Sequence, residues 1–201
     1  MCISLIIAMH DVNPKFKSFS YSKEMKYIAK MMGYLSPILV QSMYIFKNPR
    51  IGGEVGPHTD NTYIRTNPLS CAGVWVAFDD ASKENGCMWG VPGSHKTQTD
   101  YFLKLDKTGS KTYYEPAKAP EYDISNSVPL EVEKGSVVLL HGDFVHFSHP
   151  NTSPQQRHAY TLHLVESRNH TWVADNWLQR KTLPFNFLNE TDGKSSNASK
   201  L

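Results

Sequence analysis

The sequence predicts a mainly β protein, a β-sandwich or small barrel with one helix near its start. Short runs rich in branched and aromatic residues recur along the chain, and turns rich in Gly, Pro and Asn separate them. Strands and helices do not alternate, which disfavours a parallel sheet with crossover helices. The helix is predicted over residues 22–34, where Met25, Ile28, Ala29 and Met32 follow helical spacing.

Local signals set the ends of these elements. Ser22 can cap the helix, Gly33 can end it, and Pro37 breaks the pattern before the first strand. The predicted strands are residues 38–46, 73–78, 87–91, 130–132, 136–140, 143–147 and 158–165. Residues 97–127 are polar with little periodicity, which predicts a long insertion or lid over the scaffold.

The composition restricts the class of protein to which the chain can belong. A chain of 201 residues with 40% hydrophobic and 20% charged residues fits one globular domain. The net charge of +2 and the scattered Lys and Arg provide no basic patch, which argues against binding nucleic acid. The apolar start is short and lacks a basic leader, so neither a signal peptide nor a membrane span is expected. Three cysteines without CxxC spacing disfavour a disulfide framework and indicate a reducing compartment.

The first candidate metal ligands are His58 and Asp60. On an extended chain, residues two apart face the same way, so this imidazole and carboxylate can converge on one ion. Because such tripeptides also occur in ordinary polar loops, the motif needs a further ligand elsewhere in the chain.

A second histidine cluster follows the apolar strand at residues 136–140. His141 and His146 flank the same turn, and spacing alone does not decide which of them is the third ligand. Two histidines and one carboxylate on one face of an octahedral ion leave three positions open, the arrangement of non-haem Fe(II) oxygenases. The remaining histidines of this region are interpreted as surface or core-edge residues: His149, His158 and His163.

Arg157 stands at the head of the predicted strand 158–165. A bidentate organic acid would fill two open metal positions and O₂ the third. The far carboxylate of that acid needs a rigid, permanently charged partner with two parallel N–H donors, which arginine provides and lysine does not.

Many short motifs, in one order, carry a resemblance to a known family. They are Gln41-Ser-Met-Tyr-Ile-Phe46, Gly52-Gly-Glu-Val55, His58-x-Asp60, Gly73-Val-Trp75, Glu84-Asn-Gly-Cys87, Pro92-Gly-Ser-His95, His141-Gly-x-x-Val-His146, Arg157-x-Ala-Tyr160 and Asn176-Trp-Leu178. From Pro14 to Phe187 the chain resembles the phytanoyl-CoA dioxygenase family. The resemblance implies a double-stranded β-helix, or jelly-roll, domain over residues 1–188.

The resemblance also implies cofactors and an activity. These are Fe(II), 2-oxoglutarate and O₂, and the hydroxylation of a small molecule or an acyl group, such as an acyl-CoA, with release of succinate and CO₂. It selects His146 over His141 as the third metal ligand and Arg157 as the 2-oxoglutarate arginine. Residues that line the co-substrate pocket are implied as well: Met43, Trp75 and Ser148. Met43 and Trp75 would also suit ordinary core packing.

Family members carry further helices and strands ahead of the region that matches residues 9–17. One lysine in that part binds 2-oxoglutarate, and Ser4 falls near its place. We therefore expect an N-terminally incomplete domain that is weakly active or inactive, unless residues 1–7 supply a replacement strand. Two alternatives stay open: a catalytically inactive metal-binding relative with a regulatory role, and a hydrolytic zinc enzyme of the same barrel type.

Residues 189–201 are polar and small, which predicts a disordered tail. The sequence given ends in Ser199, Lys200 and Leu201, the tripeptide that the peroxisomal import receptor reads at an exposed C-terminus. We therefore expect at least partial peroxisomal import, with a cytoplasmic location as the alternative.

Overall fold

Two β-sheets enclose a common cavity within residues 4–180 and 182–189, the residues that the computed structural model describes. The described strands are β1 (Ser4–Ile7), β2 (Pro37–Lys47), β3 (Val55–His58), β4 (Thr66–Asn67), β5 (Ala72–Ala77), β6 (Met88–Gly90), β7 (Phe102–Leu105), β8 (Thr112–Glu115), β9 (Val128–Leu130), β10 (Val137–His141), β11 (His146–Ser148), β12 (Arg157–Glu166), β13 (Thr171–Trp172) and β14 (Asn186–Phe187). The described helices are α1 (Met9–Val12), α2 (Pro14–Ser20) and α3 (Lys23–Met31). The predicted tail from residue 190 onward, with its terminal Ser-Lys-Leu, lies outside these residues.

The chain passes from one sheet to the other between successive strands of the winding, except from β6 to β9, which pair within the second sheet. The larger sheet has the order β1-β2-β12-β5-β10, with β14 also paired to β2, and the second sheet has the order β3-β11-β6-β9. Eight strands, four from each sheet, thus wind back and forth between residues 37 and 166 in antiparallel pairs. This winding is that of a double-stranded β-helix, and the prediction of a mainly β jelly roll is confirmed. All eight of these strands lie within the described residues.

The chain ahead of the jelly roll adds one edge strand. Strand β1 pairs antiparallel with β2, placing Leu5 opposite Ile45 and Ile7 opposite Met43. Leu5 and Ile7 both line the cavity while remaining about half exposed. The alternative in which this segment supplies a strand therefore describes residues 4–7 correctly.

The described residues contain three helices where the sequence analysis predicted one. The predicted helix is α3: Ser22 accepts a hydrogen bond from the Met25 N–H, and Gly33 adopts φ +88° just beyond its end. Helices α1 and α2 have four and seven residues, too few to show an apolar period.

The helices cover the outer face of the larger sheet. In strand β12 of this sheet, alternate side chains point towards the helices and towards the cavity. Tyr160, Leu162 and Leu164 pack in the core cluster that also contains residues of α3. The Tyr160 hydroxyl lies 3.0 Å from the Ser20 hydroxyl at the end of α2. Because side chains alternate along a strand, Arg157, Thr161 and His163 face the cavity instead.

The polar stretch at residues 97–127 contains the hairpin β7–β8, which the sequence analysis missed. Lys104 of this hairpin forms ion pairs with Glu115 and Asp175, and Asp175 also pairs with Arg65. Leu103, beside it, lines the cavity. The hairpin is therefore anchored to the scaffold and reaches the cavity, as a lid or insertion would.

Cys71 and Cys87 are buried free thiols, and Cys2 lies outside the described residues. No described helix combines the length and apolar character that crossing a membrane requires.

Candidate metal and co-substrate site

The cavity between the sheets has a volume of about 650 Å³ and carries its polar groups on a mainly apolar lining. The apolar lining comes from both sheets and from the β7–β8 hairpin, and includes Met43, Ile45, Trp75, Leu103 and Trp177. The polar side chains that reach it include His58, Asp60, His146, Ser148, Arg157, Thr161 and His163. Such a cavity can orient a small molecule through a few polar contacts.

His58, Asp60 and His146 lie together on one side of the cavity. His58 ends β3 and His146 begins β11, and the two are cross-strand partners with ring centroids 4.3 Å apart. Asp60 opens the 3-10 turn after β3, and its Oδ1 lies 3.7 Å from His146 Nε2. The ligand atoms of all three side chains lie within 4.8 Å of one another, close enough to hold one ion.

Backbone carbonyls orient both imidazole rings. His58 Nδ1 lies 2.8 Å from the Gly56 carbonyl oxygen, and His146 Nδ1 lies 2.9 Å from that of Phe144. A carbonyl only accepts, so each Nδ1 is the donor and each Nε2 keeps its lone pair. Burial, together with the His146 ring, lowers the pKa of His58 to about 4. The His58 ring is therefore neutral at pH 7, as a metal ligand must be.

The Asp60 carboxylate is held between two strands of the larger sheet. Its Oδ1 lies 3.3 Å from His163 Nε2 on β12. A Cβ atom added to Gly73 of β5 would lie 2.9 Å from its Oδ2, so the backbone there closely borders the carboxylate. Oδ2 itself is buried without a hydrogen-bond partner among the described residues. Burial alone would raise the pKa of Asp60, but His163 and His146 more than offset this and hold the pKa below its usual range.

The placement of His163 corrects the sequence-based interpretation. His163 is not a surface or core-edge residue: it is buried and touches Asp60, because β12 brings a distant part of the chain beside the His58–Asp60 turn. No local pattern marks it, since an isolated histidine in an apolar strand is usually only hydrogen-bonded. His149, by contrast, is exposed, and His158 lies at the edge near Tyr44, as expected.

His141 does not join the group that His146 completes. Its side chain is 60% exposed, and its Nδ1 accepts a hydrogen bond from the Asp143 N–H at 3.1 Å. The two histidines differ because His141 ends β10, in the larger sheet, while His146 begins β11, in the second sheet.

Arg157 brings a buried cation to the same cavity. The residue is 1% exposed, and its Nε and Nη1 have no hydrogen-bond partner among the described residues. Its guanidinium carbon lies 5.4 Å from the centre of the Trp75 ring. Burial lowers the pKa of Arg157 to about 10, so it stays charged at pH 7. A buried guanidinium with unused donors is suited to a carboxylate ligand.

The other predicted pocket residues surround Arg157 and the three candidate ligands. Ser148 is buried two residues after His146 on β11, and Met43 and Trp75 lie on β2 and β5, each opposite Thr161 of β12. All of these residues line the cavity. Thr161 was missed by the sequence analysis, since a threonine in a strand carries no functional signal of its own.

Comparison with known proteins identifies the family of this chain. The family model described as phytanoyl-CoA dioxygenase (PhyH) matches residues 6–159, which contain the eight-stranded winding up to the start of β12. The chain belongs to the phytanoyl-CoA dioxygenase family. Phytanoyl-CoA dioxygenase of Arabidopsis thaliana is 44% identical over 178 residues, which are 88% of this chain and 62% of that relative. Phytanoyl-CoA dioxygenase domain-containing protein 1 of Danio rerio is 44% identical over 181 residues, 89% of this chain and 62% of the relative. The chain thus spans 62% of the length of these two family members.

Solved structures show the same fold at lower identity. The non-haem α-ketoglutarate-dependent carbocyclase SnoK from nogalamycin biosynthesis has a TM-score of 0.69 at 21% identity, covering 92% of this chain and 76% of SnoK. EvdO2 from Micromonospora carbonacea var. aurantiaca, solved with 2-oxoglutarate, has a TM-score of 0.65 at 20% identity, covering 89% of this chain and 74% of EvdO2. This phytanoyl-CoA dioxygenase family member therefore shares the architecture of these proteins.

Proposed function

We propose that this chain is a non-haem Fe(II)/2-oxoglutarate-dependent dioxygenase that hydroxylates a small molecule or acyl group. The single observation that carries the proposal is the shared cavity. His58, Asp60 and His146 converge at one place in it, and Arg157, whose buried Nε and Nη1 have no partner among the described residues, lines the same space. A regulatory metal-binding module would not require this second group, and a zinc hydrolase would show no dependence on 2-oxoglutarate.

His58, Asp60 and His146 would hold the metal. Two imidazole nitrogens and one carboxylate oxygen are the donor set of non-haem Fe(II) oxygenases. The Asp60 carboxylate is buried, and its Oδ2 has no partner among the described residues, which supports a cation bound to this carboxylate. When bound, Fe(II) with 2-oxoglutarate and O₂ supplies the oxidising power for hydroxylation, and the co-substrate leaves as succinate and CO₂.

Arg157 would bind the far carboxylate of 2-oxoglutarate. Two parallel N–H donors fit a carboxylate, and burial beside Trp75 keeps water from competing for them. Ser148 would add a hydroxyl donor, while Met43 and Trp75 would shape the pocket. The contribution of these residues is to orient the co-substrate and to exclude water until the substrate is in place.

The apolar lining supports a substrate with an aliphatic or ring portion beside the metal. Leu5, Ile7, Ile45, Leu103 and Trp177 offer no charge to a polar substrate. The names of the relatives agree with an acyl group, and an acyl-CoA is the finer form of the proposal. For the location of the protein, we propose peroxisomal import through Ser199, Lys200 and Leu201.

The proposal is tested by titrating 2-oxoglutarate into the Fe(II)-loaded protein under argon. We expect the visible charge-transfer band of a metal chelate, and its loss with Arg157→Ala. Arg157→Lys keeps the charge but loses the planar fork, and it should bind 2-oxoglutarate more weakly than the wild type. Equal affinities in all three proteins would refute the role of Arg157. An iron-replete wild type that shows neither the band nor decarboxylation of 2-oxoglutarate would favour the metal-binding module.

A further inference from the structure

Thr161 lines the cavity and carries a hydroxyl that the described residues leave unused. The residue is 4% exposed, and its Oγ1 is buried without a hydrogen-bond partner among the described residues. A buried hydroxyl without a partner destabilises the folded protein unless a ligand or water satisfies it. Because Thr161 lines the cavity, the missing partner would have to be in that space.

The position of Thr161 on β12 shows which part of a ligand it would meet. The inward face of this strand carries Arg157, Thr161 and His163, and His163 touches Asp60. Strand residues rise about 3.3 Å each, so Thr161 lies roughly 7 Å along the strand from His163 and roughly 13 Å from Arg157. Along the strand, Thr161 is therefore nearer to His163, the neighbour of Asp60, than to the backbone of Arg157.

The two cross-strand partners of Thr161 offer its hydroxyl no competing hydrogen-bond acceptor. Thr161 is paired with Met43 on β2 and with Trp75 on β5. A methionine side chain is at most a weak acceptor, and an indole offers only a donor. The Thr161 hydroxyl is thus a polar group between two largely apolar cross-strand neighbours, Met43 and Trp75.

We propose that Thr161 is a further co-substrate-binding residue, whose hydroxyl donates a hydrogen bond to the 2-oxo acid end of 2-oxoglutarate. This inference rests on the proposed function. Arg157 holds the far carboxylate at one end of β12, and Thr161 contacts the metal-chelating end from the same strand. One rigid strand thus sets both the length and the direction of the co-substrate.

The test compares two deletions of a single hydroxyl from adjacent residues of β12. Thr161→Val keeps the shape of the side chain inside the cavity, and Tyr160→Phe removes the hydroxyl that faces Ser20 on the opposite side of the sheet. Binding of 2-oxoglutarate is measured by calorimetry with Mn(II) in place of Fe(II), so that no turnover occurs. Thr161→Val should weaken 2-oxoglutarate about tenfold or more, the effect of losing a hydrogen bond to a charged group, with Mn(II) affinity unchanged.

Tyr160→Phe should leave the affinity for 2-oxoglutarate unchanged, and Thr161→Ser should restore most of it. With Fe(II) under argon, Thr161→Val should also shift the position of the charge-transfer band, which a purely structural role would not do. Equal 2-oxoglutarate affinity in the wild type and Thr161→Val overturns this inference and leaves the proposed function standing. A wild type that binds Mn(II) but not 2-oxoglutarate overturns both.

Discussion

Asp60 Oδ1 lies 3.3 Å from His163 Nε2, so a histidine outside the candidate ligand set contacts the one candidate ligand that carries charge. His163 sits on β12, the same strand that carries Arg157. The orientation of the carboxylate is therefore tied to the strand that also bears the candidate co-substrate arginine.

Replacement of His163 should weaken metal binding without removing a ligand. His163→Leu takes away the partner of Asp60, and partners of this kind typically change metal affinity by about 10- to 100-fold. Calorimetric titration of Mn(II) into the metal-free protein measures the effect. His158→Leu, on the same strand but at the edge, is the matched control and should bind Mn(II) like the wild type. An unchanged affinity in His163→Leu would mean that Asp60 is positioned without it.

The ligand assignment is tested on the two histidines that spacing does not distinguish. His146→Ala should lose most of the bound iron, whereas His141→Ala should retain one iron per chain, because His141 is largely exposed and bonded to Asp143. Iron stoichiometry by mass spectrometry of the metals decides between them. Loss of iron in His141→Ala alone would reverse the assignment.

Gly73→Ala should weaken metal binding for a steric reason alone. An alanine Cβ would lie 2.9 Å from Asp60 Oδ2, closer than van der Waals contact, so Gly73→Ala should displace the carboxylate. We expect Mn(II) affinity to fall about tenfold or more, the scale for disturbing a ligand from outside. Gly56→Ala is the control, since it keeps the backbone carbonyl that accepts from His58, and its Cβ meets no atom within 4 Å. Equal binding by both variants would contradict the steric argument.

The stability of the metal-free protein should fall in mild acid, in part because of His10. Burial, opposed by Asp11 and reinforced by Arg180, lowers the pKa of His10 to about 4, while the unfolded chain has a value near 6.5. The unfolded state therefore binds the proton first, and the stabilisation is complete above about pH 6.5 and is lost as pH falls towards 4. Urea unfolding at pH 7 and pH 5 should show a smaller loss for His10→Gln than for the wild type. An identical loss in both proteins would exclude His10 as a contributor.

Peroxisomal import is tested on the tail alone. A fluorescent protein that ends in residues 190–201 should become punctate and co-localise with a peroxisomal marker, because the receptor reads an exposed Ser-Lys-Leu. The same fusion without Leu201 should stay diffuse. Diffuse fluorescence from both fusions would contradict the proposal.

The sequence was most informative where the signal is local. Both ends of β2 and both ends of β12 were predicted to within one residue, because each strand is a long run rich in branched and aromatic residues bounded by turn residues. The His58–Asp60 pair was also found locally, since the two side chains lie two residues apart on extended chain. Strand β11 was placed too early, because the turn after His141 continues to Phe144, whose N–H bonds back to the His141 carbonyl.

Other features of the site depend on contacts between distant parts of the chain. His163 and Thr161 acquire their environment only when β12 pairs with β2 and β5, and neither has a sequence motif of its own. The choice of His146 over His141 came from the family resemblance, and its physical reason is the pairing of β11 with β3. Hairpin β7–β8 was missed because β8 is exposed throughout and lacks an apolar alternation.

The alternation along β12 has a consequence for how this family can diverge. Even-numbered residues from Tyr160 to Leu164 hold the helices, while Arg157, Thr161 and His163 face the cavity, so each face can change by substitution without altering the other. Insertion or deletion of one residue within the strand would exchange the two faces, placing Tyr160 and Leu162 in the cavity and the charged guanidinium under the helices. Single substitutions can therefore change the chemistry of the cavity face, whereas a one-residue insertion or deletion would disturb both faces unless a bulge, such as the register shift at His163–Leu164, absorbs it.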